Sequence, residues 1–367
     1  MSNLVGMYGG EFNPLHLGHV NNIIKASSMC DELHIMICYR DDDTSVPKEI
    51  RYRWIHEITK HMKNVHIHLL KDEAENKDDY NNGSCWEQGR DNILNIIGKK
   101  IDVVYCGSDY IGTNRFEELY PDSMIYYFDR SEVPVSSTNI RNFGIENWDY
   151  IPKCAKSYYA KKVLLLGGES TGKSMLCENL ALCYNTNFVK EVGRDTCERA
   201  GGEEFMTSED LYENIIRQKI NVMDALEDAN RLLFVDTESL TTKFYGQFLL
   251  SDDEEKMEKV NNLADSINDI TNWDLVLFPE PDIPFVQDGT RNEEIENDRE
   301  KFSNQIKQIL DEKEIKYHTI GGNYFERLIA AKEIIKDELG ITTAFNTTYT
   351  KEEANDDVEE NTILEAI

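Results

Sequence analysis

The sequence predicts an α/β protein with two doubly wound parallel-sheet domains. Short apolar runs alternate with helical patterns along most of the chain, which is typical of parallel βαβ units. Two glycine-containing segments, beginning at Gly10 and Gly167, each follow such an apolar run and precede a helical pattern. The 367 residues are enough for two domains of ordinary size. We therefore predict one α/β domain around each segment.

The first domain is predicted to span residues 1–150. Its expected strands are 4–8, 33–38, 65–70, 102–106 and 124–128, and its expected helices are 18–28, 51–62 and 86–97. This rhythm breaks between residues 142 and 161, where Gly144, Pro152 and several aromatic residues occur. We place the domain boundary near residue 150. The aromatic residues indicate a connector that packs against a domain.

The second domain is predicted to span residues 151–341. Its expected strands are 162–166, 188–191, 231–236, 275–278 and 316–319, and its expected helices are 173–184, 209–228, 299–311 and 324–338. The remaining residues, 342–367, are polar and acidic. Such a segment buries too little apolar surface to offset the entropy of folding, so we expect a disordered tail.

Composition excludes several function classes. The net charge of −30 argues against nucleic-acid binding, which needs a basic surface. No apolar stretch approaches the roughly 20 residues of a membrane span, and the N-terminus lacks a signal-peptide pattern, so we expect a cytoplasmic protein with no membrane partner. Eight scattered cysteines without C-x-x-C spacing predict reduced thiols. The oligomeric state stays open, including a homo-oligomer.

The first glycine-containing segment has the chemistry of a phosphate site. Gly10, Phe12 and Gly18 belong to a loop between a strand and a helix start, where backbone N–H groups and the helix dipole favour an anion. His16 and His19 lie three residues apart at that start, so both rings could reach one triphosphate. Considered alone, the spacing also fits ordinary surface or capping histidines.

Two later segments complete this pattern. Gly107 and Asp109 follow a strand and suit a ribose or an amino group. A serine-rich run then opens a short helix with hydroxyl, N–H and guanidinium donors, which together make an anion site. On its own such a run is more often a helix cap. Its residues of interest are Ser136, Ser137, Thr138 and Arg141.

The second segment matches the P-loop pattern G-x-x-x-x-G-K-S, with the expected strand before it and helix after it. Backbone N–H groups would hold phosphates, Lys173 would reach the β- and γ-oxygens, and Ser174 would bind Mg²⁺. Asp236 ends an apolar run and is a second magnesium ligand candidate. The P-loop residues are Gly167, Gly168, Glu169, Ser170, Thr171, Gly172, Lys173 and Ser174.

The remaining candidates lie on either side of that aspartate. Glu191 follows a predicted strand and is either a general base or the partner of a structural salt bridge to Arg194. Arg291 and Arg299 lie in a polar stretch that we interpret as a lid over the phosphates. Either arginine could instead be a solvated helix residue.

The first set of motifs resembles the H-x-G-H nucleotidyltransferase superfamily, whose members transfer AMP from ATP without a covalent enzyme intermediate. The resemblance implies that His16, His19 and Arg141 stabilise the triphosphate in the transition state. In nicotinamide mononucleotide (NMN) adenylyltransferases a tryptophan stacks on the pyridine ring, and Trp86 matches it. A core position is the alternative for Trp86.

With the P-loop half included, the chain resembles the NadR-type bifunctional family over nearly its whole length. The resemblance implies an NMN adenylyltransferase joined to a ribosylnicotinamide kinase, with nicotinamide riboside, NMN and ATP as substrates, Mg²⁺ as cofactor and NAD as product. It also implies that Glu191 is the kinase base, that Arg194 lies at the riboside site, and that Phe285 covers the nicotinamide. The shared segments are 31–34, 51–54, 166–170, 191–194, 236–237 and 288–291.

Two departures from the family affect the predicted function. Glu11 stands where relatives commonly carry Lys or Arg, so a kinase with a weak or non-catalytic nucleotide-binding first domain is one alternative. An NAD-sensing regulator is another. The first predicted strand begins close to Met1, leaving no room for a helix-turn-helix domain, so we expect no DNA-binding role.

Overall fold

The computed structural model describes residues 3–41, 45–72, 74, 83–269, 271–285 and 293–343. Within it the chain divides into two units, Met1–Tyr159 and Ala160–Ile367. Each unit contains one five-stranded sheet whose strands all run parallel. The predicted fold class, two doubly wound parallel-sheet domains, is confirmed.

The first unit alternates strands and helices in the predicted rhythm. Its strands β1–β5 are Val5–Gly10, Glu32–Tyr39, Val65–Lys71, Val103–Gly107 and Met124–Phe128. Its helices α1–α6 are Leu17–Met29, Lys48–Thr59, Gly83–Ile97, Arg115–Leu119, Ser137–Asn142 and Lys153–Tyr159.

The strand order of this sheet is β3-β2-β1-β4-β5. Strand β1 lies at the centre of the sheet, and its apolar residues are buried there. The strand order reverses direction beside it. In open parallel sheets the crevice beyond the carboxyl ends of the strands at this reversal is the usual ligand site. The H-x-G-H segment follows β1 directly and therefore lies at that crevice.

Helix α6 packs against the first unit. The edge of the Tyr158 ring contacts Trp54 of α2, with the centroids 5.5 Å apart, and the Tyr158 hydroxyl donates to the Ser45 carbonyl at 3.1 Å. The Cys154 thiol contacts the Trp54 carbonyl at 3.8 Å. Tyr158 and Cys154 thus hold this segment against α2, and the division between the units falls after it.

The second unit is built on the same principle. Its strands β6–β10 are Lys161–Leu165, Phe188–Val189, Leu232–Asp236, Leu275–Pro279 and His318–Ile320. Its helices α7–α13 are Lys173–Tyr184, Val192–Ala200, Ser208–Glu227, Ser239–Leu249, Glu254–Asp269, Glu293–Glu312 and Tyr324–Leu339.

The strand order here is β10-β9-β6-β8-β7, which again places the strand before the glycine-rich loop at the centre. Strands β8 and β9 flank it and are buried throughout, so they form the core of the unit. The loop after β6 and the end of β8 lie at one edge of the sheet, because parallel strands end together. Among the described residues no helix is both long enough and apolar enough to cross a membrane.

Candidate active sites

The loop after β1 carries two histidines to the start of α1. His16 is the N-cap residue of this helix, and His19 lies in its first turn. In each residue the ring Nδ1 accepts a hydrogen bond from the other residue's backbone N–H, at 3.4 Å in both cases. The rings stack with their centroids 3.7 Å apart. Because Nδ1 accepts in both rings, each neutral imidazole carries its proton on Nε2, so the pair presents two N–H donors.

Both imidazoles are held in the neutral state. Burial, followed by the charge of Arg130, lowers the pKa of His16 to about 4. Burial also lowers the pKa of His19, and the charges of His16 and Arg130 add to that effect. At neutral pH the pair therefore donates hydrogen bonds without carrying charge, and Arg130 supplies a positive charge nearby. Arg130 lies in no recognised motif and is not identifiable as a site residue from the sequence alone.

Arg130 is held at this edge of the sheet by Asp109. The Arg130 Nε lies 2.9 Å from the carboxylate of Asp109. Asp109 belongs to a short turn that follows β4. A Cβ at Gly107 would lie 2.4 Å from that carboxylate and 2.9 Å from Nε, so the ion pair requires glycine there. Both predicted residues, Gly107 and Asp109, thus lie at the end of β4, which pairs with β1.

The serine-rich segment meets the histidine loop. The Ser137 hydroxyl donates to the Pro14 carbonyl at 3.0 Å. Arg141 donates to the Asn13 carbonyl and, at 3.1 Å, to the Thr138 hydroxyl. The structure therefore brings together the two halves of the predicted triphosphate site, with Arg141 bonded to the loop.

Ser136 has the capping role that serine-rich runs often have. It is the N-cap residue of α5, and its hydroxyl accepts a hydrogen bond from the Asn139 N–H at 3.1 Å. The start of α5 is thereby fixed beside the loop.

The loop itself is anchored by buried side chains. Phe12 is 1% exposed, and its ring edge contacts the His19 ring with the centroids 5.0 Å apart. Arg51, also 1% exposed, donates from Nη1 to the Glu11 carbonyl at 2.9 Å. Glu11 is exposed, and its contact with Arg51 is made by its backbone carbonyl. Gly10 ends β1, and Gly18 lies in the first turn of α1.

Trp86 lies on α3 and combines a core contact with an accessible face. It packs against the apolar core of the first unit, and its ring contacts Tyr110 and Phe116 at right angles. The Arg115 guanidinium lies over the ring, 4.4 Å from its centroid. The stacking of a pyridine ring on Trp86 stays a prediction.

In the second unit, the P-loop folds around its own lysine. Gly172 has a φ of 77° and precedes α7, whose first residue is Lys173. The lysine Nζ donates to the Gly168 carbonyl at 2.7 Å, and the Thr171 hydroxyl donates to the same carbonyl at 2.9 Å. A Cβ at Gly168 would lie 2.8 Å from the Ser303 hydroxyl, so glycine lets α12 approach the loop.

Two arginines support the P-loop from its flank. Arg327, which is 2% exposed, donates to the Thr171 carbonyl and, at 2.7 Å, to the Glu280 carbonyl. Arg299 donates to the Ser170 carbonyl at 3.0 Å. The structure thus places the predicted Arg299 at the P-loop. Arg327 lies on α13, far from any motif, and is not identifiable as a site residue from the sequence alone.

The predicted lid is described only in part. Phe285 lies 5.8 Å from the Arg299 guanidinium, measured to the ring centroid. Arg291, the other predicted lid arginine, lies outside the described residues, as do residues 286–292 as a whole.

Asp236 ends β8 and is 2% exposed. Its Oδ1 atom has no hydrogen-bond partner within the part of the chain that the structure describes. Burial raises the pKa of this carboxyl, and the Lys173 charge and a hydrogen bond with the Ser174 hydroxyl oppose that rise. A buried carboxylate oxygen with a free lone pair beside a hydroxyl fits Mg²⁺, which prefers oxygen ligands.

The described residues contain no cluster of three His, Cys, Asp or Glu side chains arranged around a metal ion.

Glu191 lies just beyond β7 and is the N-cap residue of α8. The strand ends two residues earlier than predicted, because the chain turns into a helix that the sequence analysis did not identify. Burial, followed by the nearby Asp236 carboxylate, raises the pKa of Glu191 to about 7. The charges of Lys173 and Arg194 oppose that rise. A carboxylate with this pKa is well suited to accept a proton at neutral pH.

Gln218 links the two carboxylate-bearing segments. Its side-chain amide donates to the Asp236 carbonyl at 3.1 Å and to the Thr237 carbonyl at 3.0 Å. Its side-chain oxygen accepts from the Val192 N–H at 3.1 Å, next to Glu191. Gln218, Val192 and Thr237 line one cavity together with part of the P-loop. Its lining also includes Glu169, Lys173, Glu191, Arg194 and Tyr245.

Comparison with known families agrees with this geometry. Residues 7–143 match the cytidylyltransferase-like family model, and residues 162–327 match an AAA-domain model. The first match covers the histidine loop and the serine-rich segment. The second covers the P-loop, Glu191 and Asp236.

Curated relatives match nearly the whole chain. The trifunctional NAD biosynthesis/regulator protein NadR of Escherichia coli is 28% identical over 352 residues, which are 92% of this chain and 83% of that protein. The protein of the same name from Salmonella typhimurium is 29% identical with the same coverage.

Solved structures share the fold. A NadR protein in complex with NR has a TM-score of 0.80 at 22% identity, covering 95% of this chain and 99% of that one. A NadR protein in complex with NAD and AMP-PNP has a TM-score of 0.79 at the same identity and coverage. In both matched domains, and over nearly its whole length, this chain is therefore similar to NadR-type proteins.

Proposed function

We propose that this protein is a bifunctional NAD salvage enzyme. The P-loop unit phosphorylates nicotinamide riboside with ATP to give NMN, and the histidine-loop unit transfers AMP from ATP to NMN, giving NAD and pyrophosphate. The observation that carries this proposal is that one chain holds two loops of different chemistry, each at a strand-to-helix junction: the loop of the mutually capped His16–His19 pair and the loop of Lys173. The names of its relatives, and the ligands in the solved NadR structures, support the same assignment.

In the kinase reaction, the 5′-hydroxyl of the riboside attacks the γ-phosphorus of ATP, and ADP leaves. Glu191 accepts the hydroxyl proton, because its raised pKa matches the working pH. Lys173 exchanges its bond to the Gly168 carbonyl for the β- and γ-oxygens. Arg194 and Phe285 contact the riboside, and Arg291 and Arg299 contact the phosphates.

Ser174 and Asp236 would hold Mg²⁺, and the bound ion would neutralise charge on the phosphoryl group. The unpartnered Oδ1 of Asp236 among the described residues supports this assignment.

In the adenylyl transfer, a phosphate oxygen of NMN attacks the α-phosphorus of ATP and pyrophosphate leaves. The Nε2–H groups of His16 and His19 donate to triphosphate oxygens, where negative charge builds up on the leaving group. Arg130 and Arg141 add positive charge, and Ser136, Ser137 and Thr138 orient the chain at α5. Catalysis then rests on positioning and electrostatics, without a protein nucleophile. Trp86 contacts the pyridine ring.

The test is product analysis by mass spectrometry. Purified protein given nicotinamide riboside, ATP and Mg²⁺ is expected to form NMN and then NAD. Protein given NMN and ATP is expected to form NAD directly. The proposal fails if neither product appears, and the adenylyltransferase half alone fails if NMN accumulates without NAD.

A further inference from the structure

Gln218 joins the two segments that carry the proposed base and the proposed magnesium ligand. It lies on α9 and is 6% exposed. Its side-chain amide donates to the carbonyls of Asp236 and Thr237, at 3.1 and 3.0 Å, and its side-chain oxygen accepts from the Val192 N–H at 3.1 Å. Both amide hydrogens are used by backbone carbonyls, so we expect Gln218 to act through the backbone that it holds and not by donating to a substrate.

The turn that follows β8 needs this support. Thr237 has a φ of 61°, in the left-handed region that β-branched residues rarely adopt. The two carbonyls that accept from Gln218 lie on either side of the Thr237 Cα. The Thr237 N–H donates to the Leu165 carbonyl at 3.0 Å, and its hydroxyl donates to the Asp236 carbonyl at 2.6 Å. Together these bonds hold a backbone conformation that costs free energy on its own, and they fix the end of the strand that carries Asp236.

The start of α8 is the second segment that Gln218 holds. The first N–H groups of a helix have no partner within the helix, and the N-cap side chain commonly accepts from one of them. Glu191 is the N-cap residue of α8, but its side chain makes no capping hydrogen bond. The Gln218 oxygen instead accepts from Val192, the first residue of the helix. The helix start is therefore anchored without using the Glu191 carboxylate.

We infer that Gln218 is a positioning residue of the kinase reaction: it fixes the backbone of Glu191 relative to that of Asp236. The inference rests on the proposed kinase function, in which Glu191 takes the proton of the attacking hydroxyl. A base acts only within hydrogen-bond reach of that proton, and a displacement of about 1 Å can lower the rate by about a hundredfold. One side chain that bonds both segments prevents such a displacement.

Gln218→Met tests this role, because methionine is also unbranched and of similar length but cannot make the three hydrogen bonds. The kcat for phosphorylation of nicotinamide riboside is expected to fall by about ten- to hundredfold. The KM values for ATP and for the riboside are expected to stay within about twofold of the wild type, since the variant loses alignment in the transition state and not substrate binding. Initial rates over a grid of both substrate concentrations measure the two effects separately.

Gln218→Asn is the second variant. Asparagine keeps the amide but is one methylene shorter, so it cannot bond both segments at once. It is expected to show the same fall in kcat with little change in either KM, and it carries the test if the methionine variant does not fold. Cooperative thermal unfolding of the second unit, together with an unchanged KM for ATP, shows that a variant is folded.

Lys219→Met is the matched control. Lys219 is the next residue on α9, is half-buried, and donates to the Thr271 hydroxyl at 2.8 Å, outside the described lining of the cavity. Its loss also removes a bond between α9 and another segment, yet kcat is expected to stay at the wild-type level.

Three results would overturn the inference while leaving the proposed function intact. They are a wild-type kcat in a folded Gln218 variant, a riboside KM that rises as far as kcat falls, and an equal fall of kcat in Lys219→Met. Failure of both Gln218 variants to fold would also overturn it, because the residue would then serve folding alone. If the wild type phosphorylates no riboside, the proposed function fails and the inference fails with it.

Discussion

His16 and His19 cap each other: the ring Nδ1 of each accepts the backbone N–H of the other at 3.4 Å. The helix start therefore fixes the tautomer of both rings, as well as their positions. A side chain at an N-cap usually only completes the helix. Here the capping bonds occupy Nδ1, so Nε2–H of both rings stays available for a phosphate.

Replacing His19 by alanine is expected to lower the kcat of adenylyl transfer by about two orders of magnitude or more, since one preorganised donor to the transition-state charge is lost. Initial rates of NAD formation from NMN and ATP measure the effect. Riboside phosphorylation by the same protein is the control and is expected to stay at the wild-type level. Equal loss of both activities in a folded protein would contradict independent sites.

Replacing Lys173 by alanine is expected to impair the kinase reaction and to spare adenylyl transfer. The lysine charge at the β- and γ-phosphates disappears, so phosphorylation of the riboside should fall by at least about a hundredfold. NAD formation from added NMN should be unchanged. An NADH-coupled assay for ADP and a separate pyrophosphate assay distinguish the two reactions, and a joint decline would argue for a single shared nucleotide site.

The two reactions are expected to respond differently to pH. The pKa of Glu191 is raised to about 7, so the base is mostly protonated at pH 6 and mostly ionised at pH 8. The kinase kcat/KM should therefore rise about tenfold across that interval. His16 has its pKa lowered to about 4 and is neutral throughout, so it should impose no pH dependence on adenylyl transfer there.

Glu191→Gln tests whether the ionisation of Glu191 causes the rise in kinase kcat/KM. The variant should lose most kinase activity together with the pH dependence. A profile of unchanged shape, at whatever activity remains, would mean that another group titrates.

Arg115 lies over Trp86 and is expected to oppose a pyridinium ring at that position, because like charges repel. Arg115→Gln should lower the KM for NMN by roughly three- to tenfold, the scale of one cation–π contact. Arg90→Gln is the matched control: Arg90 lies on α3 with Trp86 and pairs with Asp91 at 2.7 Å. If KM is unchanged or higher in Arg115→Gln, the pyridine ring does not use this face of Trp86.

Most of the sheet strands could be predicted from sequence because apolar runs such as Leu232–Asp236 are short, buried and bounded by polar residues. Helix α7 was predicted over its full length. The P-loop marks where the helix starts, and the spacing of its apolar residues marks where it ends. Helix α10, Ser239–Leu249, was missed. Its threonines, aromatic residues and Gly246 have poor helix propensity, and its packing against the core stabilises it instead.

The site residues divide in the same way. His16, Lys173 and the other residues of their motifs could be identified because the fixed spacing of residues in each motif indicates a defined local backbone geometry. Arg130 and Arg327 could not, because each reaches its site from a distant segment through a long side chain.

The proposed function requires two independent polyphosphate sites in one chain. Isothermal titration with a nonhydrolysable ATP analogue and Mg²⁺ tests it most directly. Two analogue molecules are expected to bind per wild-type chain, and one per chain in Lys173→Ala and in the His16→Ala, His19→Ala double variant. A wild-type stoichiometry of one, or an unchanged stoichiometry in both variants, would contradict it.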